Sequence, residues 1–217
     1  MIRAENASLV YYDHGREIFA CRDISMQVHE GEFVGILGPS GSGKSSLLYL
    51  LSGLKDPTMG EVKYLDKTYE SLSEGERSQL RLSHFGFVFQ QPFLLGYLTA
   101  IENVLLVGGD SSKAYELFER LGIAEKAHRM PAELSGGEKQ RVCVARALFA
   151  SPKVVFADEP TASLDHASGS QVVDLLSKNR QGALVMVTHD PSMLTGADRV
   201  FHIDSGVAME APLSRQL

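Results

Sequence analysis

The segment Gly38-Pro39-Ser40-Gly41-Ser42-Gly43-Lys44-Ser45 constrains this chain more than any other stretch. It follows the apolar run Phe33-Val34-Gly35-Ile36-Leu37, which reads as a buried strand. It precedes Ser46-Leu47-Leu48-Tyr49-Leu50-Leu51, which reads as the opening turns of a helix. Strand, glycine-rich turn and helix in this order are the context of a phosphate-binding loop. The glycines let the backbone take positive φ and bring its N–H groups close to phosphate oxygens. The helix N-terminus adds a partial positive charge and Lys44 a full one. The Ser45 hydroxyl is an oxygen ligand of the kind Mg²⁺ accepts. The expectation is a nucleoside triphosphate held by residues 38–45, with Ser46 directly behind them.

At 217 residues the chain is long enough to bury a substantial core in one domain. Its net charge of −6 argues against a surface built for nucleic acid. No apolar run approaches the ~20 residues that span a bilayer; Leu47 to Leu54 is already interrupted by Ser52. The start, Met1-Ile2-Arg3-Ala4-Glu5-Asn6, lacks the apolar region of a secretion signal. Cys21 and Cys143 offer neither a metal spacing nor a disulfide framework, and Cys143 reads as a buried thiol in an apolar helix. These features fit a cytoplasmic setting.

Antiparallel strands are expected before residue 30, with Ile18 to Val28 roughly alternating and Glu30-Gly31-Glu32 turning into the phosphate-loop strand. Further strands are expected at 61–65 and 83–90. Residues 99–107 and 111–129 read as helical, with Tyr115, Leu117, Phe118 and Leu121 on one apolar face. Then come helix 138–150, strand 153–157, helix 166–179, strand 183–187, a short helix at 191–196 and strand 199–204. Strands alternating with helices imply right-handed crossovers and a mainly parallel sheet. The fold class is therefore α/β: a P-loop core, an antiparallel N-terminal β subdomain and a small α-helical subdomain near 91–150. The whole of 1–217 reads as one domain.

Val154 to Ala157 leads into two adjacent carboxylates, Asp158 and Glu159. Successive strand side chains point to opposite sides, so the two acids should have different tasks. Asp158 is placed to hold Mg²⁺ through water, and Glu159 to accept a proton from an attacking water. Gln90 and His189 also end apolar strands, and in a parallel α/β sheet the strand C-termini form the ligand crevice. Gln90 would reach Mg²⁺ or the water. Leu134-Ser135-Gly136-Gly137-Glu138 is a second glycine-rich turn opening a helix, with a serine hydroxyl and free N–H groups. One nucleotide does not need two cradles, so the second should serve a nucleotide held by another copy.

Together these motifs resemble the ATP-binding cassette family over essentially the whole chain. The resemblance makes 38–45 the Walker A loop, Asp158 the Walker B aspartate, Glu159 the catalytic glutamate and Gln90 the Q-loop glutamine. It makes Leu134 to Glu138 the signature motif, Ser163-Leu164-Asp165 the D-loop and His189 the switch histidine. An aromatic residue near the N-terminus stacks on adenine in this family. Tyr11 fits by its distance from the loop, with Tyr12 as the other candidate and core packing of both as the alternative. Glu30 to Phe33, Gly86 to Gln91, Leu98 to Val104 and Asp158 to Thr161 resemble the lipoprotein-release, macrolide-efflux and cell-division ATPases.

One departure is a shorter helical stretch between Val104 and the signature motif. The chain ends soon after its last expected strand, so no C-terminal regulatory domain is expected.

The resemblance implies an ATP-hydrolysing subunit, with ATP and Mg²⁺ bound. It would pair with a second copy and drive an integral membrane permease from the inner face of the membrane, without nucleic acid. A cell-division regulator that moves no substrate remains open. A DNA-repair ATPase is disfavoured, because Ser46 to Glu133 has no sustained heptads; a translation ATPase would carry two cassettes. The irregular, apolar segment Gln91 to Leu98 is expected to dock the permease.

Overall fold

The structure is a computed structural model that describes residues 1–178 and 182–211. The chain forms two compact units: Met1–Arg81 together with Val185 onward, and Leu82–Leu184.

In the first unit, β1 (Ile2–Asp13) and β2 (Arg16–Val28) form a hairpin. Its two turn residues, His14 and Gly15, have φ of 48° and 78°. Two left-handed residues make the turn whose twist matches paired strands, and they fix the register Asp13↔Arg16 and Tyr11↔Ile18. β4 (Met59–Tyr64) and β5 (Lys67–Thr68) extend this sheet in the order β2-β1-β4-β5, antiparallel throughout. Its inward face buries Ile2, Ala4, Ile24, Met26, Val28 and Val62.

A second layer holds β3 (Phe33–Leu37), β8 (Ala183–Thr188), β9 (Arg199–Asp204) and β10 (Val207–Glu210), in the order β10-β9-β3-β8. β3 runs parallel to β9, and β10 antiparallel to β9. Val34, Ile36, Val185, Met186 and Val187 are fully buried, as unbroken apolar runs in a parallel sheet require. Helix α1 (Lys44–Leu51) follows β3, with Leu47, Leu48, Leu50 and Leu51 buried. Helix α2 (Glu74–His84) begins in this unit.

The second unit packs parallel strands β6 (Phe85–Val88) and β7 (Val154–Asp158) with helices α3 (Ala100–Leu105), α4 (Ser111–Arg120), α5 (Gly136–Phe149) and α6 (His166–Ser177). α5 is its spine, burying eight residues from Gln140 to Phe149. A Cβ at Gly86 would meet the Ala147 carbonyl oxygen at 2.4 Å, so the glycine is what lets β6 lie against α5. Phe156 packs edge-on to Phe85 at 5.2 Å and stacks on Phe87 at 5.6 Å.

Four sequence expectations need correction. The helix expected over 111–129 is α4 alone, followed by a 3₁₀ turn at Ala124–Lys126, because Gly122 turns left-handed at φ 65°. Tyr115 is exposed, its hydroxyl 2.8 Å from His128 Nε2; Ala114, Leu117, Phe118 and Leu121 form the buried face. The short helix at 191–196 is a 3₁₀ turn over Pro191–Leu194. Helix 166–179 ends at Ser177, and its expected last residue, Asn179, lies outside the described residues. Strand β10 and helix α2 have no counterpart among the elements expected from the sequence.

Candidate functional site

The first unit presents Tyr11, residues 38–46 and His189. Between β3 and α1 the chain reverses around Gly43, the N-cap of α1, at φ 107°. No side chain caps α1, and its first turn holds no acidic residue. The other helix starts contrast with it: Ser73, Thr99, Asp110, Ser135 and Asp165 each accept a backbone N–H at the start of α2 to α6. Uncapped N–H donors and the helix dipole form an anion site.

Lys44, almost buried, turns its ammonium back on the loop and donates to Gly38 O at 2.9 Å and Pro39 O at 3.0 Å. The loop has a backbone floor. A Cβ on Gly43 would meet Ala20 O at 2.1 Å, and one on Gly38 would meet Ile203 O at 2.3 Å. Gly206 N donates to Ser42 O at 2.9 Å. Ser42 Oγ is buried with no hydrogen-bond partner among the described residues. Cys21 lies beneath Gly43 with Sγ 3.9 Å from its carbonyl oxygen, and burial pushes its thiol up to about 12. A thiol so shifted is a neutral packing group rather than a nucleophile.

Tyr11 is 41% exposed and Tyr12 69%. Neither ring fills the core, so the core-packing alternative falls; Tyr12 instead reaches Glu17 Oε1 at 3.5 Å. His189 is exposed directly after buried β8. The turn after it is fixed by Asp190, whose N–H donates to Thr188 Oγ1 at 3.1 Å and whose Oδ1 accepts from Ser192 N at 2.9 Å.

The second unit presents Gln90, Ser135 to Glu138, Asp158, Glu159 and Asp165. Asp158 is 4% exposed and Glu159 7%. The expected alternation ends at Asp158, because Glu159 takes φ 47° and leaves the extended strand. A non-glycine residue in that conformation stores strain that functional sites often carry.

Ser135 caps α5: its Oγ accepts from Glu138 N at 3.2 Å, while Glu138 Oε2 accepts from Ser135 N at 2.7 Å. The free donors expected at this turn are therefore partly engaged, which leaves the N–H groups of Gly136 and Gly137. The Ser135 N–H, helped by Lys126 at 3.4 Å, holds the Glu138 carboxyl below its usual range. A Cβ on Gly137 would meet Leu164 Cδ2 at 3.0 Å and Ser163 O at 3.2 Å, so the 134–138 and 163–165 turns pack closely. Asp165 caps α6 through Ser168 N at 3.0 Å, which lowers its pKa.

The segment after Gln90 has no regular structure, as expected, and exposes Phe93 and Tyr97 at 60% and 74%. Its backbone is satisfied by side chains to which the sequence motifs assign no role. Asn103, fully buried, accepts from Leu95 N at 2.7 Å and turns its Nδ2 to within 3.1 Å of Leu95 O, Leu98 O and Thr99 O, which share its two protons. Arg146 donates to Pro92 O and Phe93 O, and Gln140 to Phe89 O just before Gln90. Polar residues at i and i+6, Gln140 and Arg146, interrupting the apolar run of α5 were the available signal.

The family model described as ABC transporter matches residues 21–162. The chain belongs to that family. This ABC cassette is 41% identical, over 97% of its length and 98% of the relative's, to an uncharacterised ABC transporter ATP-binding protein of Methanocaldococcus jannaschii. It is 40% identical to the lipoprotein-releasing system ATP-binding protein LolD of Hydrogenovibrio crunogenus, covering 95% of this chain and 94% of LolD. The macrolide export ATP-binding/permease protein MacB of Salmonella typhimurium is 38% identical over 97% of this chain, which spans 34% of MacB. A dimeric ATP-binding cassette solved in a post-hydrolysis state with ADP and Pi superposes with a TM-score of 0.93 at 34% identity, covering 98% and 99% of the two chains. The chain is accordingly an ABC ATPase of the LolD and MacB type. Among the described residues, no helix is long and apolar enough to cross a membrane.

Proposed function

We propose that this ABC ATPase is the energy-supplying subunit of a membrane transporter, working as two copies that close head to tail on two ATP molecules. The carrying observation is the uncapped, acid-free start of α1 beside the Lys44 ammonium. In this reading the ammonium leaves the Gly38 and Pro39 carbonyls for the β- and γ-phosphates, a charge-assisted exchange. The N–H groups of residues 40–46 cradle the phosphates, and Tyr11 stacks on adenine.

The donor chemistry suits Mg²⁺: the Ser45 hydroxyl, the Asp158 carboxylate and the Gln90 amide oxygen are hard oxygen ligands. When bound, Mg²⁺ neutralises charge developing on the phosphates. Glu159 accepts a proton from the attacking water and His189 donates to the γ-phosphate. Ser135, Gly136 and Gly137 of the second copy offer their O–H and N–H groups to the same phosphate. The Glu138 carboxylate orients Ser135, and Asp165 fixes the adjoining turn. Phosphoryl transfer is mainly positioning and charge neutralisation, which accounts for a site made of donors.

The exposed side chains of Phe93, Leu95 and Tyr97 dock a separate permease, with the cassette on the cytoplasmic face of the membrane.

Replacing Glu159 by Gln should leave ATP binding intact, nearly stop hydrolysis and give a dimer in sedimentation only with ATP. The same variant carrying Ser135→Ala should bind ATP as a monomer yet dimerise poorly. A Glu159→Gln protein that stays monomeric in millimolar ATP would remove head-to-tail closure.

A further inference from the structure

α5 does two things at once within the second unit. Its N-cap is Ser135, and side chains on three successive turns reach backbone carbonyls on both sides of Gln90. Gln140 Nε2 donates to Phe89 O at 3.1 Å. Cys143 Sγ lies 3.8 Å from Phe87 O. The Arg146 guanidinium spans two successive carbonyls, with Nη2 2.8 Å from Pro92 O and Nη1 3.0 Å from Phe93 O. These two carbonyls flank the left-handed residue Phe93, at φ 45°, so the arginine fork clasps the tightest bend of the segment.

Phe89, Pro92 and Phe93 lie beyond the end of β6, so their carbonyls need donors from outside the sheet. Gln140 is 1% exposed, and its Oε1 has no partner among the described residues. An apolar side chain would fill that space without leaving an oxygen unserved. What glutamine adds is the single donor to Phe89 O. A planar fork on two carbonyls also resists twisting in a way a lysine ammonium cannot.

We propose that Gln140 and Arg146 are positioning residues that make the Gln90–Leu98 segment and the Ser135 turn one rigid body. A push on Pro92 or Phe93 is then delivered along α5 to Ser135, about three turns away on the same helix. Gln90 and the phosphate donors of Ser135 would thus change place together. This rests on the functional reading of Gln90 and Ser135 given above, whereas the rigid coupling itself does not need it.

Native-state hydrogen exchange on the wild-type chain tests the coupling without nucleotide. Under graded denaturant, the amides of Leu95 and Leu98 should open together with those of Glu138 and Lys139, at one shared free energy. Two distinct opening energies would overturn the proposal. Arg146→Met should speed exchange in both groups and lower kcat roughly 10- to 100-fold, as misplacement of a catalytic group does. KM should hold, and ATP affinity measured by equilibrium dialysis should stay within about twofold, because the Lys44 loop is untouched. Arg146→Lys should recover only part of kcat.

Faster exchange confined to Leu95 and Leu98, with kcat kept, would leave Arg146 a local brace and refute the coupling. If Arg146→Met does not fold, Gln140→Met, close in shape but without the donor, takes its place with the same expectations. A wild-type chain that fails to hydrolyse ATP would refute the proposed function, and the exchange result would still decide the coupling.

Discussion

Two glycines of the phosphate loop look alike in sequence and differ sharply in surroundings, and the difference sets the size of a mutational effect. Gly41 has φ 78°, and a Cβ added there would meet nothing within 4 Å. Gly43 has φ 107°, and the same carbon would lie 2.1 Å from Ala20 O, a backbone atom of β2. Alanine at position 41 incurs left-handed strain of about 1–2 kcal/mol, partly offset by the roughly 0.4–1 kcal/mol gained from a stiffer unfolded chain. The net loss is near zero to about 1.5 kcal/mol.

Alanine at position 43 meets backbone strain of about 1–3 kcal/mol and must also move a strand by nearly an ångström. Overpacking of that kind costs about 1–3 kcal/mol more, so Gly43→Ala should lose about 2–6 kcal/mol. With a urea slope near 2 kcal/mol per molar, the unfolding midpoint should fall by about 1–3 M for Gly43→Ala and by less than about 1 M for Gly41→Ala. Urea melts followed by circular dichroism at constant slope would measure both. Equal midpoints for the two variants would show that the Ala20 carbonyl is not the floor of the loop.

If the permease docks on Phe93 and Leu95 as proposed, Phe93→Asp and Leu95→Asp should each lose co-purification with it; both should still fold and bind ATP, since Asn103 and Arg146 hold the backbone of this segment, and normal co-purification of both would move the docking surface elsewhere. The capping glutamates set an acid limit. Glu76, Glu102, Glu133 and Glu138 are each held below the usual 4.5, chiefly by Ser73, Thr99, Met130 and Ser135 respectively. A lowered folded pKa stabilises above the unfolded value and loses that contribution as pH falls through the folded one. Urea midpoints should therefore hold from pH 7 to about pH 5 and drop below about 4.5, with a shallower drop in Glu138→Gln; an unchanged acid limb in that variant would refute the assignment.

The strands of the parallel layers were legible because they are short apolar runs bounded by glycine or acid: β3, β7 and β8 fall within a residue or two of their expected ranges. Helix α2 was not, for a physical reason. None of its residues is buried, so it carries no apolar stripe to read, and only the Ser73–Glu76 capping pair marks its start. Gly122 was a visible stop signal overridden by the apolar pattern around it. The site motifs were legible as types, since glycines, a lysine and strand-end acids keep their identity whatever surrounds them.

What the sequence could not reveal is which helix starts are already satisfied. Glycines and serines dominate both turns, at 38–45 and at 134–137, and both read as open cradles. Folded, Gly43 supplies no side-chain acceptor to α1, whereas Ser135 and Glu138 close reciprocally on α5. The two termini are therefore unequal before any ligand arrives. The first has no side-chain cap on its N–H groups and the Lys44 ammonium turned onto the loop beside them. The second keeps two glycine N–H groups and a serine proton beside a closed capping box. In the proposed function that inequality sets an order, with phosphate binding first on α1 and closure on Ser135 second, since the weaker half gains its ligand only after the stronger half has fixed it in place.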